Sequence, residues 1–247
     1  MFTRLYRYLL RPDIYFIAYQ HLYSNKGAGT KGVNDDTADG FSKQYVTAII
    51  EALRTGSYEP KPVRRTYIQK MNGKLRPLGL PVFADKLVQE AIRMILEAIY
   101  EPIFSIYSHG FRPGRSCHTA LAIIKHEFTG AKWFIEGDIK GCFDNIDHST
   151  LIDVLNRKIK DARFLNLIRM FLKAGYMEDW NFHETYSGCP QGGIISPILA
   201  NVYLNELDRY ITQLKKEFDH GYNPRNFTEE YNTCLLYTSP SPRDRSV

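Results

Sequence analysis

Apolar residues at helical spacing recur along most of this chain without regular alternation with strand patterns, which excludes a doubly wound parallel sheet. Tyr45, Val46, Ile49, Ile50 and Leu53 share one helical face, with Ser42 placed to cap it and "TGSYEPKP" to end it. Asp85 opens "KLVQEAIRMILEAIY", whose Leu87, Ala91, Ile95 and Ile99 line up before Pro102 stops the element. Ser116 is a cap before Ala120, Leu121, Ile123 and Ile124, and two more helices are expected from Ser149 to Lys160 and from Ala162 to Lys173. A last helix, capped by Ser196 and started by Pro197, carries a row of Leu204, Leu207, Ile211, Leu214 and Phe218 that should face a core. Strand signals are few: Val63, Thr66 and Ile68 beside the turn "NG", and the apolar run Trp133, Phe134, Ile135. The expected class is α+β, mostly helical.

At 247 residues and 44% hydrophobic content the chain can fill one large domain or two smaller ones. Its charge of +5 suits a polyanionic partner without establishing one. Cys117, Cys142, Cys189 and Cys234 are scattered with no C-x-x-C pair, which argues against a zinc site or a disulfide framework and for a reducing, intracellular setting. The apolar N-terminus is broken by Arg4, Arg7, Arg11 and Pro12 too often for a signal peptide or membrane span. Residues 25–40 read as a long loop, and no internal repeat is visible.

The chemistry concentrates in "WFIEGDIKGCFDNIDH". Asp138 follows a strand-like run and precedes a tight turn through Ile139, Lys140, Gly141, Cys142 and Phe143. A single carboxylate there can hold Mg²⁺ against phosphate oxygens, and backbone N–H groups of the turn, around Gly141 and Cys142, can meet those phosphates. Phe143 would then lie beneath a sugar, leaving little room for a 2′-hydroxyl. The competing reading makes Asp138 a strand-end acid bonded to a neighbouring loop and Phe143 a core residue. Asp147 is most simply a helix cap, and Asp144 stays open between structural bonding and support of the site.

Residues 61–76, "KPVRRTYIQKMNGKLR", carry six basic side chains and no acidic one. Lys70 and Arg76 flank the turn and could reach a triphosphate. Lys61, Arg64 and Arg65 form either a solvated basic face or a contact to a nucleic-acid backbone. In "SGCPQGGIISP", Gln191 stands between a rigid and two flexible positions, as the specific contact of a loop that approaches a ligand or as part of a plain helix entry.

These segments, in order with "NKGAGTKGV", "GKLRPLGLPVFADKLVQEAI", "GFRPGRSCHTAL" and "CPQGGIISPILANVYLNELD", resemble group II intron-encoded reverse transcriptases, the intron maturases, from about Tyr19 to Leu214. The resemblance implies a right-hand polymerase with a small antiparallel sheet: fingers with an N-terminal extension over 1–130 and a partial palm over 131–233. Residues 234–247, rich in Ser, Pro and Arg without periodicity, instead resemble cloning-adaptor read-through and are expected to be a non-native disordered tail. It implies Asp138 and the Ile139 carbonyl as Mg²⁺ ligands and Phe143 under the sugar. Lys70 and Arg76 would hold the triphosphate, Gln191 would line the nucleotide pocket, and Arg112 and Arg115 would lie near the template. The loop at 25–40 would grip template. Implied partners are intron RNA template, primer and dNTP in a bacterial cytoplasm, with no membrane.

Two-metal phosphoryl transfer needs several carboxylates around a pair of metal ions about 4 Å apart. This family draws the others from a Tyr-Ala-Asp-Asp hairpin, and no such segment occurs in these 247 residues. The expectation is therefore a fragment that lacks the rest of the palm and the thumb and extends no primer. A non-catalytic RNA-binding maturase module is the second expectation, and a retron, diversity-generating or CRISPR-associated reverse transcriptase the third.

Overall fold

A computed structural model describes all residues except 26, 28, 70–72, 74, 129–135, 190–191, 221–247 and the side chains of 218–220. Lys70, Gln191, the run from Trp133 to Ile135, the side chain of Phe218 and the tail at 234–247 thus lie outside the described residues. The chain forms two compact units, residues 1–98 with 141–200 and residues 99–140 with 201–247.

In the first unit, α1 (Pro12–Tyr23) starts on a proline with Asp13 in its first turn and buries Tyr15, Ala18 and Leu22. Helix α2 (Lys43–Thr55) begins where the Ser42 hydroxyl accepts the Tyr45 N–H and ends at left-handed Gly56, burying Val46, Ile49, Ile50 and Leu53. Helix α3 (Phe83–Tyr100) starts two residues before Asp85. Asp85 is instead a buried anchor that accepts from the Tyr58 hydroxyl and, at 2.8 Å, from the Lys61 N–H. Leu87, Val88, Ala91, Ile92 and Leu96 of α3 are fully buried, so this helix is the unit's core.

Helix α5 (His148–Asn156) is capped by Asp147, whose carboxylate accepts the Thr150 N–H at 2.7 Å. Helix α6 (Ala162–Lys173) is capped by Asp161, which also accepts the Tyr6 N–H at 2.8 Å and so ties down the N-terminal stretch. The sheet is built on β1 (Val63–Gln69) and β2 (Leu75–Leu80), antiparallel with Arg65 opposite Gly79. Strand β3 (Tyr176–Glu178) joins β1 in parallel, and β4 (Asn181–His183) joins β3 antiparallel, giving the order β2-β1-β3-β4. The α+β class and the basic hairpin are borne out. The sheet is antiparallel at two of its three joins, and the parallel join arises because the chain reaches β1 again only after α6.

In the second unit, α4 (Cys117–Glu127) carries a reciprocal cap: Ser116 accepts the Thr119 N–H while Thr119 accepts the Ser116 N–H. Helix α7 (Ser196–His220) starts at Ser196, one residue before Pro197, and enters this unit at Asn201. The expected buried row on α7 is corrected: Leu207 and Leu214 are exposed, and Val202 and Asn205 are buried. Spacing shows which residues share a face, not whether anything covers it. Residues 136–139 carry no regular structure, so the expected strand end at Asp138 is an exposed irregular stretch among the described residues. No helix among them is long and apolar enough to cross a membrane.

Candidate functional site

The turn after Lys140 is closed on one carbonyl. Gly141, at φ 60°, accepts on its oxygen the Asp144 N–H at 2.9 Å, the Asn145 N–H at 3.0 Å and the Asn145 Nδ2 at 3.0 Å. Two N–H groups of the turn are thereby spent within it. A 3-10 turn at Phe143–Asn145 follows, and Phe143 is half-buried rather than a core residue.

A second segment, some forty residues later, is stitched onto this turn. The Cys189 N–H donates to the Phe143 carbonyl at 2.7 Å, the Gly188 N–H to Ile146 at 2.8 Å, and the Ser187 hydroxyl to Asp144 at 3.2 Å. His148 pairs through Nε2 with the Gly188 carbonyl at 2.7 Å. Gly188 has φ 86°, and a Cβ on it would lie 2.8 Å from the carbonyl oxygens of Phe143 and Asp144, so only glycine permits the approach. Further along, a Cβ on Gly192 would meet the Gly79 oxygen at 2.2 Å, and Gln89 of α3 accepts the Ile194 N–H at 2.8 Å. Residues 187–189 are therefore held by the Phe143 turn, and residues 192 and 194 by β2 and α3.

The expected basic contacts divide. Lys61 and Arg64 are exposed, and Arg64 donates to the Lys31 carbonyl at 2.9 Å, fastening the 25–40 loop to the hairpin. Arg65 is half-buried, 3.4 Å from a Glu178 oxygen and with its guanidinium carbon 3.3 Å from the centre of the Tyr176 ring. Arg76 is half-buried on β2 opposite Ile68. In the second unit the Arg112 side chain is only 4% exposed; it bonds Glu101 and the carbonyls of Ser105 and Ser108, both at 2.6 Å. It is a strut of its loop. Arg115 is half-buried and donates to the Ile106 carbonyl at 3.3 Å.

Asp138 and Ile139 are exposed, and no hydrogen bond or ion pair engages the Asp138 carboxylate among the described residues. An open carboxylate fits one position in a magnesium shell otherwise filled by phosphates and water. No group of three His, Cys, Asp or Glu among the described residues could hold a metal ion, so the residues present do not make up a two-metal centre. Sequence reasoning missed a cleft of about 350 Å³ on the sheet face, lined by Arg65, Gly79, Asp144, Tyr176, Glu184 and Tyr186. The exposed aromatics around β3 and β4 were its only signal.

Residues 68–237 match the model of the family described as reverse transcriptase (RNA-dependent DNA polymerase), and the chain belongs to that family. The resemblance to group II intron proteins is borne out as well. The chain is 66% identical over 232 residues to the group II intron-encoded protein LtrA of Lactococcus lactis subsp. cremoris, covering 94% of this chain and 39% of that protein. It is 51% identical over 213 residues to an uncharacterized 91 kDa protein in the cob intron of Schizosaccharomyces pombe, covering 86% and 26%. A solved partial Cas6-RT-Cas1–Cas2 complex shares the fold, with a TM-score of 0.53 at 22% identity over 83% of this chain and 34% of that one.

Proposed function

We propose that this chain is the RNA- and nucleotide-handling part of a group II intron reverse transcriptase of the bacterial cytoplasm, with fingers over 1–130 and a partial palm over 131–233. The observation that supports the reading is the pair of hydrogen bonds from Gly188 and Cys189 to Ile146 and Phe143, which fasten the segment preceding Gln191 to the Phe143 turn. In this reading Phe143 packs under the sugar of an incoming dNTP, and Gln191 contacts the nucleotide. Lys70 and Arg76 hold its triphosphate. Asp138 and the Ile139 carbonyl would hold Mg²⁺, which when bound would neutralise phosphate charge. Lys61, Arg64 and Arg115 meet the RNA backbone, while Arg65 and Arg112 shape the surfaces that do so.

Intron RNA, primer and dNTP are the proposed partners. The 247 residues carry Asp138 but no Tyr-Ala-Asp-Asp segment, so alone they are expected to extend no primer. They are expected to bind single-stranded RNA, with the logarithm of affinity falling by about 0.7 per phosphate neutralised for each decade of salt. Anisotropy titrations at several salt concentrations, beside a primer-extension assay with Mg²⁺ and dNTPs, test both statements. Absence of RNA binding at low salt, or templated synthesis by this chain alone, would overturn them.

A further inference from the structure

We propose that the cleft on the sheet face takes one unpaired RNA base and prefers bases that carry an exocyclic amine. The inference rests on the reading that the chain binds RNA, and adds which part of the RNA is read and by what.

The floor is a stack built across three strands. Tyr176 has the Arg65 guanidinium carbon 3.3 Å from its ring centre and the His183 ring 4.8 Å away at 15°. Because β3 lies between β1 and β4, the two groups come to Tyr176 from opposite sides. Glu178 holds Arg65 from a third direction and also accepts from the Tyr67 hydroxyl. Arg65 thus offers the cleft a flat cation whose orientation is fixed before any ligand arrives, and guanidinium planes stack on bases. Tyr186 adds a ring that is 83% exposed. An exposed aromatic that the fold does not bury fits a stacking platform.

The walls select against phosphate. Glu184 and Asp144 line the cleft beside Tyr186. Carboxylates repel the RNA backbone and accept from amines such as cytosine N4. The cations that would meet phosphates lie along the basic segment at 61–76. A cleft of about 350 Å³ is in the range of small-ligand pockets, roughly 300–1,000 Å³, and admits a base but not a duplex.

Beside it, the β3–β4 turn holds Asp179 at φ 49° and Trp180 at φ 66°, with Trp180 92% exposed. A bulky residue kept in the left-handed region and left in water is a cost without a packing return, and such costs gather at binding sites. Trp180 supplies a second stacking position for the neighbouring base.

The test uses the 247-residue chain with labelled oligocytidylate, oligouridylate and a blunt RNA duplex at low salt. Oligocytidylate is expected to bind about tenfold tighter than the other two, Tyr186→Ala to lose about tenfold, and Tyr186→Phe to retain the affinity. Glu184→Gln is expected to erase the preference for cytosine over uracil. Both positions are exposed, and circular dichroism of the variants checks that folding is intact. Equal binding of the two oligonucleotides together with an unaffected Tyr186→Ala overturns this inference alone, as does equal binding of the duplex. No RNA binding by the wild-type chain overturns the proposed function and this inference with it.

Discussion

Asp85 is 2% exposed, and burial pushes its carboxyl up to about 6, against the smaller downward pull of the Tyr58 hydroxyl, the Lys61 N–H and the Lys61 charge. A carboxyl whose folded pKa lies above its unfolded value binds its proton more tightly when folded. Its contribution to stability therefore falls as pH rises from about 4 to about 6 and is level above that, by up to about 3 kcal/mol for a shift of about two pKa units. Urea unfolding of wild type and Asp85→Asn across that window is expected to show the wild-type midpoint declining relative to the variant as pH rises. A difference that does not change with pH would mean Asp85 titrates normally. Nothing in "PVFADKLVQ" reveals this: Asp85 was legible as a helix-start acid, but its partners Tyr58 and Lys61 come from an earlier segment. Arg112 was obscured in the same way, since sequence shows a basic residue in a Gly/Pro loop and not the Glu101 carboxylate that buries it.

Among the elements, those fixed by nearest neighbours were legible. Ser42, Ser116 and Asp147 cap their helices through contacts three residues long, and Ala162–Lys173 forms as its spacing predicts. Strands β3 and β4 were not legible, because three-residue strands have no measurable alternation and their turn lacks the Asn-Gly or Asp-Gly signal. That turn yields a sharp test. Trp180→Gly should stabilise the protein by about 1 kcal/mol by relieving a positive φ, while weakening affinity for single-stranded RNA. Thermal unfolding read beside RNA titration checks both directions. A destabilised variant would show that Trp180 has a packing role.

For the whole molecule, family membership was legible because five weak segments occur in one order, while the contacts that assemble the candidate site were not. The Cys189 to Phe143 hydrogen bond and the Gly192 approach to Gly79 join segments far apart in the chain, and no local pattern records them. The chain spans 39% of the length of its Lactococcus relative, so polymerisation is proposed for a longer reverse transcriptase that contains it. The most direct measurement is primer extension on an RNA template by such a longer protein, with Mg²⁺ and either dNTPs or ribonucleotides. Asp138→Ala is expected to abolish synthesis while leaving RNA affinity within about twofold, and Phe143→Ala to raise ribonucleotide incorporation about tenfold or more relative to dNTPs. Near-normal synthesis by Asp138→Ala, or unchanged sugar discrimination in Phe143→Ala, would contradict the roles proposed for these two residues.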